Sequence, residues 1–423
     1  MDSRVNFDFN LKDNGLSNSL DSINLPRHRW YFYKEGFSPN LIEKAIKESK
    51  LNENSLVIDP FNGSGTTTLT ASLFGINSIG VEVNPFTHFL SSTKLINYNV
   101  KRIKPHTEDL IQAVNKQSES PLLTFSTFSE KTKKDKYLFN SSVLNSFEGG
   151  WQFTEQLPFP KVRKIFQLAL IISAMKNCNA KRDGKCLRYR DKWKSNEFDK
   201  DSFIESLRST LDEMIVDIDL SDVKGTSKVY NSDIRKIVKR TNTIDNFDLC
   251  VTSPPYLNTF DYTDIYRPEL YLGKFIKGYD SLYKLRLKTV RSHIQAKWKN
   301  PIGKDYGAIY SRVLRDISDN KDLLMHKNIP LMIQAYFEDM HKVLETLKLK
   351  CAPNGSLWMV VSNSAYANTE IPLDLILADI GTSVGWRLKE IGVLRNVRKR
   401  KTKYSPDIDF LRESVIIFEN NKN

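Results

Sequence analysis

The fold is decided by the stretch from residue 55 to residue 83, which reads SLVIDPFNGSGTTTLTASLFGINSIGVEV. Its apolar start, Ser55–Phe61, is typical of a buried strand, and the small residues of Thr66–Phe74 favour a helix closed by Gly75. A second predicted strand, Ser78–Val83, ends at Asn84-Pro85. Strand, glycine loop, helix and a strand with an acidic residue near its end form half of a nucleotide-binding fold. The stretch therefore predicts an α/β protein.

The glycine loop is suited to a small nucleoside that carries a carboxylate tail. Gly63 and Gly65 allow a tight turn, and the following helix offers unpaired N–H groups. The loop lacks the lysine of a phosphate-binding loop and the third glycine of the dinucleotide fingerprint. Glu82 is placed to accept hydrogen bonds from ribose hydroxyls, and Asp233, after a predicted strand, from an adenine amine. The alternative is a glycine turn with two unrelated surface acids.

A second motif, Ser253-Pro254-Pro255-Tyr256, follows the predicted strand Phe247–Val251. Because proline cannot donate to a sheet ladder, the chain leaves the sheet at this point. A hydroxyl, carbonyl acceptors and an aromatic face therefore meet at the carboxyl end of a strand, where open α/β sheets bind ligands. Such a group suits a planar base, with its amine held by oxygens and its ring stacked on Tyr256. Alone, the four residues are also an ordinary turn.

Together the two motifs resemble those of the S-adenosylmethionine-dependent amino-directed DNA methyltransferases. Asp59–Thr66 resembles the cofactor loop of that family, and Val251–Tyr256 resembles the catalytic motif of its cytosine-N4 branch. Trp30–Pro39 resembles the element that helps to seat the methionine part. The resemblance implies a Rossmann-like methyltransferase sheet with helices on both faces, plus large, mainly helical insertions. It covers roughly residues 23–90, 227–270 and 333–420.

The resemblance also implies S-adenosyl-L-methionine as the cofactor and specific site residues. It assigns cofactor binding to Asp59, Pro60, Phe61, Asn62, Gly63, Ser64, Gly65, Thr66, Glu82, Asn84, Asp233, Trp30 and Ser38. It assigns catalysis to Ser253, Pro254, Pro255 and Tyr256. The motif contains no strong base, and the absence of a Pro-Cys dipeptide argues against methylation at cytosine carbon 5. The cofactor loop precedes the catalytic motif, unlike the order common in cytosine-N4 enzymes, which leaves the target base open.

The charge of the chain favours a polyanionic partner. The 423 residues carry a formal net charge of +13. Basic segments with interleaved aromatic residues supply the candidates for DNA binding: Arg188, Arg190, Lys192, Trp193, Arg291, Lys297, Arg398, Lys399 and Arg400. For each of them a solvated basic face is the alternative. We expect double-stranded DNA as the partner, with the target base flipped into the pocket.

The domain organisation follows from where strand–helix alternation is interrupted. We predict a polar N-terminal arm at 1–22, a catalytic domain at 23–90 and 227–423, an insertion at 91–226 that is a candidate for target recognition, and a second insertion at 270–332. The four cysteines form no metal-binding pattern and indicate reduced thiols, so no metal is expected. No stretch is apolar enough to span a membrane, which favours a cytoplasmic protein.

These observations predict a site-specific DNA methyltransferase that modifies the exocyclic N4 amine of cytosine. The family resemblance implies a role in restriction-modification or a related defence system, with a possible cognate restriction endonuclease. Three alternatives stay open: adenine-N6 methylation, methylation of RNA or of protein glutamine, and a binding protein that has lost catalysis.

Overall fold

The computed structural model describes residues 2–10, 16, 19–183, 186–195, 197–237, 246–398, 403–405 and 407–421, with the side chain of Arg398 excepted. The strands described are, in chain order, β1 (Val5–Asn6), β2 (Leu56–Asp59), β3 (Asn77–Glu82), β4 (Ala180–Asp183), β5 (Cys186–Tyr189), β6 (Ser227–Asn231), β7 (Phe247–Thr252), β8 (Cys351–Ser362), β9 (Ser364–Tyr366), β10 (Thr369–Ile371), β11 (Arg387–Arg398) and β12 (Phe410–Glu419).

The α-helices of the described residues are, in the same order, α1 (Pro39–Glu48), α2 (Thr66–Leu73), α3 (Pro85–Lys94), α4 (Val100–Ile103), α5 (Thr107–Lys116), α6 (Ser141–Gln156), α7 (Pro160–Lys176), α8 (Lys200–Leu220), α9 (Ile234–Ile237), α10 (Tyr262–Ile265), α11 (Arg267–Leu272), α12 (Tyr279–Arg286), α13 (Ala308–Asp319), α14 (Ile329–Lys350) and α15 (Leu373–Ser383). Short 3₁₀ turns lie at Ser19–Asn24, His28–Trp30, Lys104–His106, Glu130–Thr132, Trp193–Ser195 and Lys321–Leu323.

The main sheet has the order β1-β11-β12-β8-β7-β2-β3-β6. Neighbouring strands are parallel except on both sides of β12, which runs antiparallel to β8 and to β11. From β2 the chain builds the sheet outward through β3 and β6, then returns to place β7 on the other side of β2. This reversal puts a topological switch point between β2 and β7, where open α/β sheets bind ligands. The sheet is the predicted Rossmann-like methyltransferase sheet.

The strands are buried on both faces because successive side chains alternate between two cores. Val57 of β2 packs with helices α1 and α2, whereas its neighbour Ile58 belongs to the core formed with α9, α13, α14 and α15. In β8, Trp358 packs in the same core as Val57, and Met359 packs in the same core as Ile58. Helices therefore cover both faces of the sheet, as predicted.

The residues between α3 and β6 form helices α4–α8 and the antiparallel hairpin β4–β5. Their apolar side chains make a third core together with Trp30, Tyr31 and residues of α11 and α12. A second, shorter helical region, α11–α13, lies between the catalytic motif and α14. Both regions are mainly helical, as predicted for the insertions.

The outer part of the sheet has three further features. β11 continues as a strand through the basic residues Arg395–Arg398, because these pair with Phe410–Glu413 of β12. Pro353-Asn354-Gly355 lies within the bounds of β8, at a register irregularity opposite β7. Within the predicted polar N-terminal arm, Val5 and Asn6 add an edge strand parallel to β11.

No helix among the described residues is long and apolar enough to cross a membrane. The four cysteines are free thiols; Cys178, Cys250 and Cys351 are buried and Cys186 is exposed.

Candidate functional site

A cavity of about 460 Å³ opens at the carboxyl ends of β2, β3, β6 and β7. It collects most of the residues predicted from the two motifs, although these lie far apart in the sequence. From the predicted cofactor and catalytic sets, the cavity is lined by Asp59, Pro60, Phe61, Asn62, Gly63, Ser64, Thr66, Glu82, Asn84, Asp233, Ser253, Pro254, Pro255 and Tyr256. The fold therefore brings the glycine loop and the Ser-Pro-Pro-Tyr motif to one site.

The glycine loop depends on a left-handed backbone at its second glycine. Gly65 has φ +85° and precedes α2, and a Cβ on it would lie 2.7 Å from Cβ of Ser91 in α3. Gly65 does not line the cavity, so its predicted direct contact with the cofactor is corrected to a structural role. It allows the turn and the close packing of α2 on α3 that put Gly63 and Ser64 at the cavity wall.

Asp59 connects the two motifs directly. Its Oδ1 accepts hydrogen bonds from Thr252 Oγ1 at 2.7 Å and from the backbone N–H of Phe61 at 3.0 Å. The carboxyl is buried, and this burial raises its pKa to about 6. The end of β2 is thus bonded to the end of β7, which fixes the catalytic motif relative to the glycine loop.

Glu82 is held by backbone groups on both sides of its carboxylate. Oε2 accepts from the N–H of Gly63 and Oε1 accepts from the N–H of Asn84, each at 2.7 Å. Burial raises the pKa of this carboxyl to about 7, and the two backbone hydrogen bonds act in the opposite direction. Glu82 therefore presents a fixed acceptor at the end of β3, beside the loop.

Asp233 also has a fixed orientation, because Arg235 binds both of its carboxylate oxygens at 2.9 Å. The other side of the Arg235 guanidinium donates to Asp339 Oδ2 of α14 at 2.5 Å. Asp233 thus lies at the cavity wall as one end of an ion-pair chain that continues into the helical core.

The catalytic motif is joined to the last strand through Tyr256. The Tyr256 hydroxyl donates to Oε1 of Glu413 at 2.8 Å, and Oε2 of Glu413 accepts from Nε of Arg395 at 2.5 Å. Burial and the neighbouring Glu413 charge raise the pKa of Tyr256 well above its ordinary value, and a hydrogen bond with Ser253 lowers it in part. Glu413 and Arg395 line the cavity as well. Tyr256, Glu413 and Arg395 therefore form one hydrogen-bonded group beside Ser253 in the cavity wall.

Besides Gly65, two more predicted cofactor residues do not line the cavity. The Trp30 Nε1 donates to buried Asp217 of α8 at 3.0 Å, and Ser38 caps α1 by accepting from the N–H of Asn40 at 3.2 Å. The prediction of direct cofactor contact is therefore wrong for Trp30 and Ser38. The segment between them, Tyr33–Phe37, lines the cavity instead.

An aromatic and charged cluster supports that segment from behind. The Tyr33 ring stacks on Tyr266 at 5.2 Å, and the Tyr266 hydroxyl donates to Oε2 of Glu35 at 2.5 Å. Arg182 of β4 lies over the Tyr266 ring at 4.5 Å and is hydrogen-bonded to buried Glu269 of α11. The hairpin β4–β5 of the insertion is thereby connected to the cavity wall.

Sequence reasoning missed Glu413, Arg395 and His293 as cavity residues, and it did not single out Tyr33 and Glu35 within the predicted segment Trp30–Pro39. Of these, Glu413 left a signal in the sequence, because an acidic residue next to the apolar run Val415–Phe418 is unusual in a buried strand. Tyr262 also lines the cavity.

The predicted DNA contacts separate into buried and exposed residues. The prediction for Arg291 is wrong: the side chain is only 9% exposed and pairs with Asp339 at 2.7 Å and Glu338 at 3.3 Å. Arg190 donates to the carbonyl oxygens of Cys178 and Lys176 and is half-buried. Trp193 packs against Tyr137 and Tyr189.

The remaining DNA candidates lie at the surface or outside the described part of the chain. Arg188, paired with Asp183 at 3.1 Å, is exposed, and so are Lys192 and Lys297. Arg398 ends β11 with its side chain outside the described part, and Lys399 and Arg400 lie outside the described residues.

Comparison with known proteins agrees with this geometry. A family described as DNA methylase, with N6 and N4 amino specificity in its name, matches residues 13–91, which include the glycine loop and Glu82. Over these residues the chain is similar to the amino-directed DNA methyltransferases, and the relatives below support a DNA methyltransferase.

Relatives extend the similarity over most of the chain. It is 26% identical to the type II methyltransferase M.BsoBI of Geobacillus stearothermophilus over 93% of this chain and 85% of that protein. It is also 26% identical to M.AvaI of a Nostoc species, over 87% of this chain and 81% of the relative. A shorter match, 37% identical over 22% of this chain and 17% of the relative, is to M.MjaII of Methanocaldococcus jannaschii.

The methyl donor of the methyltransferase is S-adenosylmethionine, and the residues of the cavity fit this molecule. Glu82 and Asp233 offer oxygens at the ends of adjacent strands, and Phe61 and Ile234 offer apolar surface beside them. The side-chain nitrogen of Asn62 is buried without a hydrogen-bond partner among the described residues. A cavity wall with fixed acceptors, an unpaired donor and an open glycine loop suits a nucleoside with a charged tail.

Proposed function

We propose that this methyltransferase modifies the exocyclic N4 amine of cytosine in double-stranded DNA. The position of Ser253 supports the proposal, since its hydroxyl lines the cavity beside the glycine loop. A serine in the first position of the motif resembles the cytosine-N4 branch, whereas adenine-directed members usually carry an acidic or amide residue there. Pro254 lines the same wall.

The chemistry that these residues support begins with a poor nucleophile. The lone pair of an exocyclic amine is delocalised into the ring, so the nitrogen must become tetrahedral before it can react. Ser253 Oγ and the carbonyl oxygen of Pro254 each accept one amine hydrogen, which favours that geometry and stabilises the positive charge that develops on nitrogen. When bound, S-adenosylmethionine supplies an electrophilic methyl group.

The position of Tyr256 supports base flipping. In duplex DNA the amine lies within the base stack, so the target nucleotide must rotate out to reach an enclosed site. The bond from Tyr256 to Glu413 holds the aromatic ring at the cavity wall. The ring therefore offers a preformed face on which a flipped base stacks.

The direct test is to identify the methylated nucleoside. The purified protein is incubated with methyl-labelled S-adenosylmethionine and unmethylated genomic DNA, and the DNA is digested to nucleosides. We expect the label in N4-methyldeoxycytidine. Label in N6-methyldeoxyadenosine would favour the adenine alternative, which the order of the two motifs keeps open. No label in any nucleoside of the DNA would overturn the proposal.

We propose that the biological context is restriction-modification, because the relatives that are similar over most of this chain are named type II methyltransferases. Mapping N4-methylcytosine in treated DNA should then give one short recognition sequence. DNA modified by this protein is expected to resist an endonuclease that cuts the same sequence. Methylation scattered without a common sequence would contradict this assignment.

Binding of the adenosine part should depend on the ionisation of Glu82. With its pKa raised to about 7, this carboxyl is largely protonated at pH 6 and ionised at pH 8, and only the ionised form can accept from both ribose hydroxyls while keeping its backbone bonds. We expect affinity for 5′-methylthioadenosine, which has no titrating tail, to be about tenfold higher at pH 8 than at pH 6. Calorimetric titration at both values measures this.

The control for that measurement is Glu82→Gln, which keeps the size of the side chain but removes the titration. We expect weaker binding with little change between pH 6 and pH 8. A variant that retains the full pH dependence would show that another group, such as Asp59, is responsible.

Lys297 is proposed as a phosphate contact because it is an exposed cation in the region that follows the catalytic motif. Lys297→Ala should reduce the slope of log Kobs against log salt concentration by about 0.9, the value for one phosphate contact. Lys47→Ala is the control, since Lys47 is 70% exposed and pairs with Glu43 on α1. An unchanged slope in Lys297→Ala would remove this residue from the DNA interface.

A further inference from the structure

Glu413 is a carboxylate in the cavity wall that lies outside both sequence motifs. It projects from β12 with a side chain only 7% exposed, and it lines the cavity with Ser253 and Tyr256. One of its oxygens accepts from the Tyr256 hydroxyl at 2.8 Å and the other from Nε of Arg395 at 2.5 Å. Burying an acid costs free energy, so its position against the catalytic tyrosine calls for a function.

The proposed reaction leaves a proton that must be removed. The amine nitrogen forms a bond to the methyl carbon while the carbon–sulfur bond breaks and its electron pair stays on sulfur. The nitrogen then carries one proton more than the neutral methylated amine and holds a positive charge. The motif itself contains no residue that is basic enough to keep this proton.

We propose that Glu413 receives this proton through the hydroxyls of Ser253 and Tyr256. The inference rests on the proposed methylation of an exocyclic amine. The amine proton passes to Ser253 Oγ, the serine proton passes to the Tyr256 oxygen, and the tyrosine proton passes to Oε1 of Glu413. Both hydroxyls are regenerated, the amine becomes neutral, and Glu413 becomes a carboxylic acid that later releases the proton to water.

The surroundings of Glu413 suit this role. Arg395 holds the carboxylate and its own side chain is 45% exposed, so the pair lies between the buried tyrosine and solvent. The other four carboxyls that line the cavity are bonded elsewhere. Asp59 binds Thr252, Glu82 binds the N–H groups of Gly63 and Asn84, Asp233 binds Arg235, and Glu35 binds Tyr266. Glu413 acts on the amine only through the hydroxyls of Tyr256 and Ser253. Because it need not contact the base itself, it is a positioning residue.

The test separates the charge of Glu413 from its structural contact. In Glu413→Gln the amide oxygen still accepts from Tyr256, but it cannot take up a proton at neutral pH. We expect the single-turnover rate to fall about 10²-fold, with KM for S-adenosylmethionine and the affinity for DNA unchanged within about twofold. A side chain that only supports the tyrosine would be replaced by glutamine with little loss of rate.

Tyr256→Phe provides a second, independent variant, because it keeps the stacking ring and removes the relay hydroxyl. We expect a similar fall in rate, and the double variant should be no slower than the slower single variant, since both changes interrupt one chain. The matched control is Glu419→Gln, which also lies on β12 and pairs with an arginine of β11, Arg387, but does not line the cavity. Its rate should equal that of the unmodified protein.

Wild-type rates in either Glu413→Gln or Tyr256→Phe, or additive losses in the double variant, would overturn the relay. Failure of the proposed function is read separately, from the nucleoside that the unmodified protein labels. If that nucleoside is N6-methyldeoxyadenosine, the same variants still test the relay on an exocyclic amine. If no nucleic acid base is labelled, the proposed function fails and the relay fails with it.

Discussion

Replacing Ser253 with alanine is expected to lower the single-turnover rate of DNA methylation by about 10²–10³-fold, while binding of S-adenosylhomocysteine stays within about twofold of the unmodified protein. The hydroxyl is one of the two acceptors proposed to hold the amine hydrogens, so its loss acts on the transition state. The cofactor loop Asp59–Thr66 is bonded to Thr252 rather than to Ser253, and it keeps its geometry in the variant. Rapid-quench measurement with saturating DNA reports the rate directly.

A buried serine far from the cavity provides the matched control. Ser173 in α7 donates to the carbonyl of Ala169 at 2.8 Å, and Ser173→Ala should leave the methylation rate unchanged. If Ser253→Ala reacted at the wild-type rate, Ser253 would have no part in catalysis. Weakened cofactor binding with an unchanged rate would place the serine in the cofactor site instead.

The parts of the site that could be predicted from the sequence are those encoded locally. A few neighbouring residues are enough to predict the conformation of these parts. They are the glycine turn at Gly63 and Gly65, the strand that ends at Asp59, and the double proline after Ser253. The order of the sheet then follows, because parallel strands joined through helices align their carboxyl ends at one edge. Local pattern and topology together were enough to bring most of the predicted residues to one cavity.

The residues that could not be predicted depend on pairing between distant segments. Glu413 reaches Tyr256 because β12 inserts antiparallel between β8 and β11, an arrangement that no local pattern of Phe410–Glu419 encodes. Arg291 was assigned to a DNA-binding surface because its neighbours in the sequence are basic. Its acidic partners, Glu338 and Asp339, come from α14 and are visible only in the fold. A cluster of basic residues in one segment therefore indicates a DNA-binding surface only when no acidic residues from another segment pack against it.

Removing Asp339 is therefore expected to have the largest effect on stability. Asp339 is 3% exposed and pairs with two arginines, Arg235 at 2.5 Å and Arg291 at 2.7 Å. In Asp339→Ala both guanidinium groups, which are 14% and 9% exposed, lose a carboxylate partner. The free energy of unfolding should fall by about 3–5 kcal/mol. Urea-induced unfolding, followed by circular dichroism, measures the change.

Glu338→Gln is the control for this prediction, since Glu338 is next to Asp339 on α14 and contacts Arg291 at 3.3 Å, while its second partner Lys342 is 50% exposed. Arg291 keeps Asp339 in that variant, so the loss should be about 1 kcal/mol or less. Equal losses in both variants would mean that general removal of negative charge from α14 destabilises the protein. A loss below about 1 kcal/mol in Asp339→Ala would show that water reaches the guanidinium groups of Arg235 and Arg291 and replaces the lost carboxylate. In that case Arg291 would be accessible enough to contact DNA.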